Sequence, residues 1–118
     1  MEFHTVGRIT GLSIVALLCT FASKTFAYEE DAARVLAQKN YCSTCHAIQK
    51  EKGGPAFHRV AEKLRGQPDA EERIVQYITS AGLAKFDDGH VEQHKTVETS
   101  PPSDLNQVRN LAQWILAQ

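Results

Sequence analysis

Cys42-Ser43-Thr44-Cys45-His46 constrains this chain more than any other feature. Two thiols three positions apart on one helical turn point the same way. Each can add to one vinyl group of the same porphyrin, and the adjacent His46 can then present its imidazole to the iron. Two other chemistries use similar residues. A redox Cys-x-x-Cys belongs beside a βαβ unit, and no sustained alternation of apolar and polar residues here builds strands for one. A zinc site could draw on Cys42, Cys45, His90 and His94. However, 44 residues separate Cys45 from His90, and His46 would be left without a role. Zinc-finger spacings hold about 12–15 residues. The motif therefore reads as the attachment site of one haem c, with Cys42 and Cys45 forming the thioethers and His46 as proximal iron ligand.

The residues before the motif bear on where such a site is made. Residues 1–27 read as a secretory signal peptide, and residues 28–118 as one domain. Arg8 supplies the positive start, and Ile9 to Ser23 carries no charge. That run is 15 residues, short of the roughly 20 a bilayer span requires. Thr25-Phe26-Ala27 has the small residues that precede cleavage, and Thr20-Phe21-Ala22 repeats the spacing earlier. Cleavage after Ala27 opens the mature chain on Glu29-Glu30-Asp31 and removes Cys19. Only Cys42 and Cys45 then remain, in the periplasm. An uncleaved leader would instead anchor the protein to the membrane. With 13 basic and 14 acidic residues the net charge is −1, which argues against a nucleic-acid partner.

Helical spacing dominates the rest. Asp31 to Lys39 carries Ala33, Val35 and Leu36 as a stripe. Ala56 to Leu64 places Phe57, Val60, Ala61 and Leu64 on one side. A third helix starts at Pro68 and Asp69, has Glu71 and Glu72 in its first turn, buries Ile74, Val75, Tyr77 and Ile78, and stops at Gly82. Ser103 is the expected cap of a last helix burying Leu105, Val108, Leu111, Ala112 and Ile115. Between them, Ala84 to Pro102 reads as a long polar loop holding His90 and His94.

Over nearly all of residues 28–118 the chain resembles a small bacterial monohaem class I cytochrome c. Cys45-His46-Ala47-Ile48 and Gly54-Pro55-Ala56-Phe57 are the closest local matches, and Trp114-Ile115-Leu116 closes the last helix. The resemblance implies an all-α fold of about four helices wrapped around one covalent haem c, with the first and last helices packed together. It implies that the Pro55 carbonyl accepts the His46 Nδ1 proton, which orients the ring. It also implies that Trp114 lies at the haem edge near a propionate. The alternative for Trp114 is a plain core aromatic.

One departure from that pattern matters. Most of the family places a Met sulfur on the distal side of the iron, and the only Met here is Met1. His94, 20 residues before Trp114, is the first candidate for that place, and His90 is the second. His58 follows the Gly-Pro turn on the proximal side and is poorer. The remaining option is no protein ligand, with Val97 near the position of the family's Met.

The expected function is single-electron transfer by an exported monohaem cytochrome, alone or as the haem subunit of an oxidoreductase, with a redox protein as partner. No acid–base set suggests an enzyme in its own right. The alternative is a gas-binding module for NO or CO with an open or displaceable distal site. Lys50, Lys52, Arg59, Lys63 and Arg65 form either a basic docking patch or an ordinary solvated helix face.

Overall fold

The computed structural model describes residues 28–118. The signal-peptide reading of residues 1–27 therefore lies outside the described residues. Five helices and one short hairpin make up the domain: α1 (Glu30–Lys39), α2 (Cys42–Cys45), α3 (Phe57–Leu64), α4 (Ala70–Thr79), β1 (Leu83–Lys85), β2 (Val91–Gln93) and α5 (Leu105–Leu116). Among the described residues, no helix is long and apolar enough to cross a membrane.

Helix α5 is the hub. It packs against α1, α3 and α4, and buries Val108, Leu111, Ala112, Trp114 and Ile115. Helix α1 meets it with Ala33, Leu36 and Ala37, at steps of three and four along one face. Ala33 and Ala112 are both fully buried, and neither has a side chain long enough to hold the helices apart. The first and last helices thus pack together as the resemblance implied. The Asn110 amide clasps the backbone of Glu29 from both sides, accepting from its N–H at 2.7 Å and donating to its carbonyl at 2.9 Å.

Three expectations need correction. The segment read as structureless contains the antiparallel pair β1–β2, with Leu83 opposite Gln93 and Lys85 opposite Val91. Each strand is only three residues long, too short for alternation to register, and β2 is exposed along its length. The turn signal was present in Asp88-Gly89, where Gly89 takes the φ of +89° that closes the hairpin. The five helices agree with the expected fold of about four, the short Cys42–Cys45 turn being the additional one. The cap of α5 is Asp104, not Ser103. Ser103 sits at φ +61°, outside the extended region a cap requires, while Asp104 is extended and accepts from the N–H groups of Asn106 and Gln107. Leu105, expected in the core, is 53% exposed, because it precedes the turn at which α5 enters the core.

The Asp104 carboxyl is held below the usual carboxylate range by the Gln107 side-chain amide, and then by the N–H groups of Gln107 and Asn106. Its folded pKa is depressed, so its stabilisation is present above the unfolded value and is lost as pH falls through the folded one. That loss begins below about pH 4. Asp104→Asn keeps an acceptor oxygen but has nothing to protonate. The variant should therefore unfold less steeply in an acid titration followed by circular dichroism. Superimposable acid limbs would contradict this account.

Candidate haem site

The site begins where α1 ends. Tyr41 adopts φ +57°, turning the chain so that the single turn of α2 starts at Cys42. Both thiols are unpaired. Cys42 is half-buried and Cys45 exposed. Burial pushes the Cys42 thiol up, partly offset by a backbone hydrogen bond. His46 leaves the turn in an extended conformation, with its N–H on the Cys42 carbonyl at 2.9 Å.

The Gly-Gly-Pro segment then folds back over His46. Gly54 N donates to the Cys45 carbonyl at 2.8 Å, and His46 Nδ1 lies 2.7 Å from the Pro55 carbonyl. A carbonyl only accepts, so Nδ1 carries the proton and Nε2 keeps its lone pair. Gly54 is where it is for lack of a side chain. A Cβ there would stand 2.6 Å from His46 Cε1. Phe57, at the start of α3, stacks on the His46 ring with centroids 5.1 Å apart and planes 16° from parallel. Burial holds His46 below the ordinary imidazole range, with the Pro55 carbonyl opposing and the nearby His94 adding to it. The ring is therefore neutral at pH 7, as a metal ligand must be.

His94 faces His46. Their ring centroids are 6.0 Å apart and their planes 49° from parallel. Two imidazoles bound to one metal from opposite sides have centroids about 6 Å apart, given metal–nitrogen distances of about 2 Å. His94 Nδ1 lies 2.8 Å from the Lys95 carbonyl, so that nitrogen is the donor of this hydrogen bond and Nε2 takes no part in it. Three backbone ties hold the segment after β2. His94 N donates to the Gly82 carbonyl at 2.7 Å, and Val97 N donates to that of Ile78 at 2.8 Å. The Asn40 amide, at the end of α1, accepts from Glu98 N–H at 2.7 Å and donates to its carbonyl at 3.0 Å. This clasp joins the start of the thiol turn directly to the His94 segment.

The other candidates lie elsewhere. His90 sits in the hairpin turn, stacked on Phe86 at 4.2 Å, with Nδ1 hydrogen-bonded to Asp88 and Nε2 3.6 Å from Glu92. Both of its nitrogens face carboxylates. His58 Nδ1 is 3.4 Å from the carbonyl of Gln118. Val97 packs against the core. Among the described residues, no three of His, Cys, Asp and Glu cluster as a metal site, so the zinc set is not assembled. Val35, read as part of the apolar stripe of the first helix, is 47% exposed. The basic patch is partly occupied by internal contacts. Lys52 Nζ donates to the Ser43 carbonyl at 2.7 Å, and Arg59 lies 3.8 Å from Glu51.

Trp114 supplies an independent test of fit. Its Nε1 is buried without a hydrogen-bond partner, and Phe57 meets its ring edge-on at 5.5 Å. A buried orphan donor is costly unless something supplies an acceptor. A haem carboxylate is such an acceptor. Unpaired thiols on one turn, two imidazoles with centroids 6.0 Å apart and an orphan indole N–H together fit a covalent haem. Sequence reasoning missed Asn40, Gly82 and the contact of Tyr77 with His94. Each depends on residues far apart in the chain, and no local signal marks them.

Comparison with known proteins agrees with this geometry. A family model for cytochrome c matches residues 30–118. Cytochrome c-551 of Allochromatium vinosum is 33% identical over 96 residues, covering 81% of this chain and 96% of that protein. Cytochrome c-551 of Pseudomonas aeruginosa is 32% identical over 109 residues, covering 87% and 95%. Among solved structures, the class 1 cytochrome MtoD of Sideroxydans lithotrophicus ES-1 superposes with a TM-score of 0.71 at 45% identity. That alignment covers 77% of this chain and 97% of that one.

Proposed function

This chain belongs to the cytochrome c family, carriers of electrons on one covalently attached haem c, and we propose that it works in the periplasm with His46 and His94 as its two axial ligands. The observation that carries the ligand reading is the 6.0 Å separation of the two rings. It is supported by the Nδ1–carbonyl contact of each ring, which leaves Nε2 as the nitrogen not engaged in that contact. It is also supported by the sequence, in which no Met follows Met1 to supply a thioether. Cys42 and Cys45 form the covalent links, Pro55 orients His46, and Trp114 Nε1 donates to a propionate. Export follows from the signal peptide in residues 1–27, which leaves residues 28–118 as the working domain.

Bound haem c supplies a one-electron Fe(III)/Fe(II) couple. The residues that would hold it are His46 and His94, whose rings are each fixed by a backbone carbonyl on Nδ1, so that little should rearrange when the charge changes. Imidazole donates more strongly than thioether, so the potential should lie below that of Met-ligated relatives. Phe57, Ile78 and Leu111 line an apolar interior that works in the opposite direction. The electron passes to or from a redox protein, either as a free carrier or within an oxidoreductase.

The test is a pair of spectra, ferric and ferrous, with and without CO, on protein matured in a host that attaches haem c. Low-spin spectra indifferent to CO are expected. His94→Ala should then open the iron to CO, and His90→Ala should leave the spectra unchanged. A parent protein that is high-spin, or that takes up CO at once, would overturn the His94 assignment in favour of a gas-binding module. An opening caused by His90→Ala alone would move the assignment to that residue.

A further inference from the structure

Tyr77 lies beside the site without being a candidate ligand. Its spacing on α4 predicts a core residue, yet it is 42% exposed. Its ring instead lies against His94, with centroids 5.0 Å apart and planes tilted by 55°. Its hydroxyl donates to the Leu83 carbonyl at 3.2 Å, which ties the far end of the ring to β1. The near side of the ring passes over Gly82. A Cβ on Gly82 would stand 2.7 Å from Tyr77 Cε2 and 2.9 Å from Cδ2, closer than such atoms approach. Gly82 is also the residue whose carbonyl receives His94 N–H. One residue therefore holds the His94 backbone and leaves room for the ring that bears on the His94 side chain.

The arrangement mirrors the other side of the site. His46 has a backbone carbonyl on Nδ1, a glycine with no room for a Cβ, and the flat face of Phe57 against its ring. His94 has a carbonyl on Nδ1, and Tyr77 against its ring in a space kept open by Gly82. A single hydrogen bond fixes one nitrogen but leaves the imidazole free to swing about its side-chain bonds. A second surface against the ring removes that freedom. His94 is half-buried and stands just after an exposed hairpin, so such a surface matters there.

We propose that Tyr77, seated over Gly82, is a positioning residue that holds the His94 imidazole toward the iron side of the site; this rests on the reading of His94 as the distal ligand. Tyr77 touches neither reactant nor iron, and its effect passes entirely through His94. The ring is what matters, and the hydroxyl is an aid.

The experiment uses the mature holoprotein and reads ferric spin state and the rate of CO binding to the ferrous form. Tyr77→Leu should produce a high-spin fraction and speed CO binding about tenfold, the lower end of what loss of a ligand-orienting contact costs. Tyr77→Phe should restore the parent values. Gly82→Ala should reproduce Tyr77→Leu by displacing the ring, and should add nothing in the Tyr77→Leu background. The denaturant midpoints are measured alongside, because a merely structural role would move them and leave the spin state alone. A low-spin, CO-indifferent Tyr77→Leu protein, beside a His94→Ala protein that does open, overturns the positioning role and leaves the ligand assignment standing. A His94→Ala protein that behaves as the parent overturns both.

Discussion

Gly54→Ala is expected to cut the yield of correctly ligated holoprotein by about tenfold or more, the usual cost of disturbing what orients a metal-bound histidine. The added Cβ would meet His46 Cε1 at 2.6 Å, Nδ1 at 3.0 Å and Nε2 at 3.1 Å. All three atoms belong to a rigid ring, so the whole imidazole has to move. It has nowhere to go without loss. Sliding away breaks the 2.7 Å contact with the Pro55 carbonyl, and tilting meets Phe57, stacked at 5.1 Å. Gly53→Ala is the control, since its Cβ would come no closer than 3.4 Å to Phe86. Covalent haem per mole of protein and the low-spin fraction check the prediction. Equal yields from the two variants would show that the ring tolerates displacement.

Leu111→Ala should destabilise the ferric holoprotein by about 3 kcal/mol, the middle of the range for truncating a fully buried leucine. Leu111 is 1% exposed, on the helix that packs against α1, α3 and α4 at once. The cavity left behind would be bounded by several helices, and none can close it without leaving the others. A domain of this size has only about 5–10 kcal/mol of stability, so the variant should sit close to its unfolding threshold. Leu105→Ala, on the same helix but at a 53% exposed position, should fall within about 0.5 kcal/mol of the parent. A denaturant titration of both decides the matter. Equal shifts would mean that α5 is not the hub its packing indicates.

The helices were legible because α1, α3, α4 and α5 each carry apolar residues at three- and four-residue steps, a signal that depends on the helix itself. The hairpin was not, because its three-residue strands present no buried face and hold together by backbone pairing across a turn. Tyr77 was misjudged for a related reason. Its spacing puts it on the apolar side of α4, but the hairpin meets that end of the helix and takes up the ring.

What the sequence by itself determined is the chemistry available. The register of Cys42, Cys45 and His46 reads as a covalent haem site, and the sequence holds no Met beyond Met1. It ranked His94 ahead of His90 only by distance from Trp114, since the two carry identical imidazoles four positions apart in one polar segment. Tertiary structure separates the two through strand register. Pairing Leu83 with Gln93 sets His94 beside Gly82 at the α4 end of the hairpin, where its ring meets Tyr77 and faces His46. The same pairing leaves His90 at the opposite end, in the turn, bound to Asp88 and stacked on Phe86. Backbone hydrogen bonds in a hairpin fix position along the strand. Four residues there are the whole length of the hairpin, and they separate a histidine beside His46 from one tied to carboxylates at the surface.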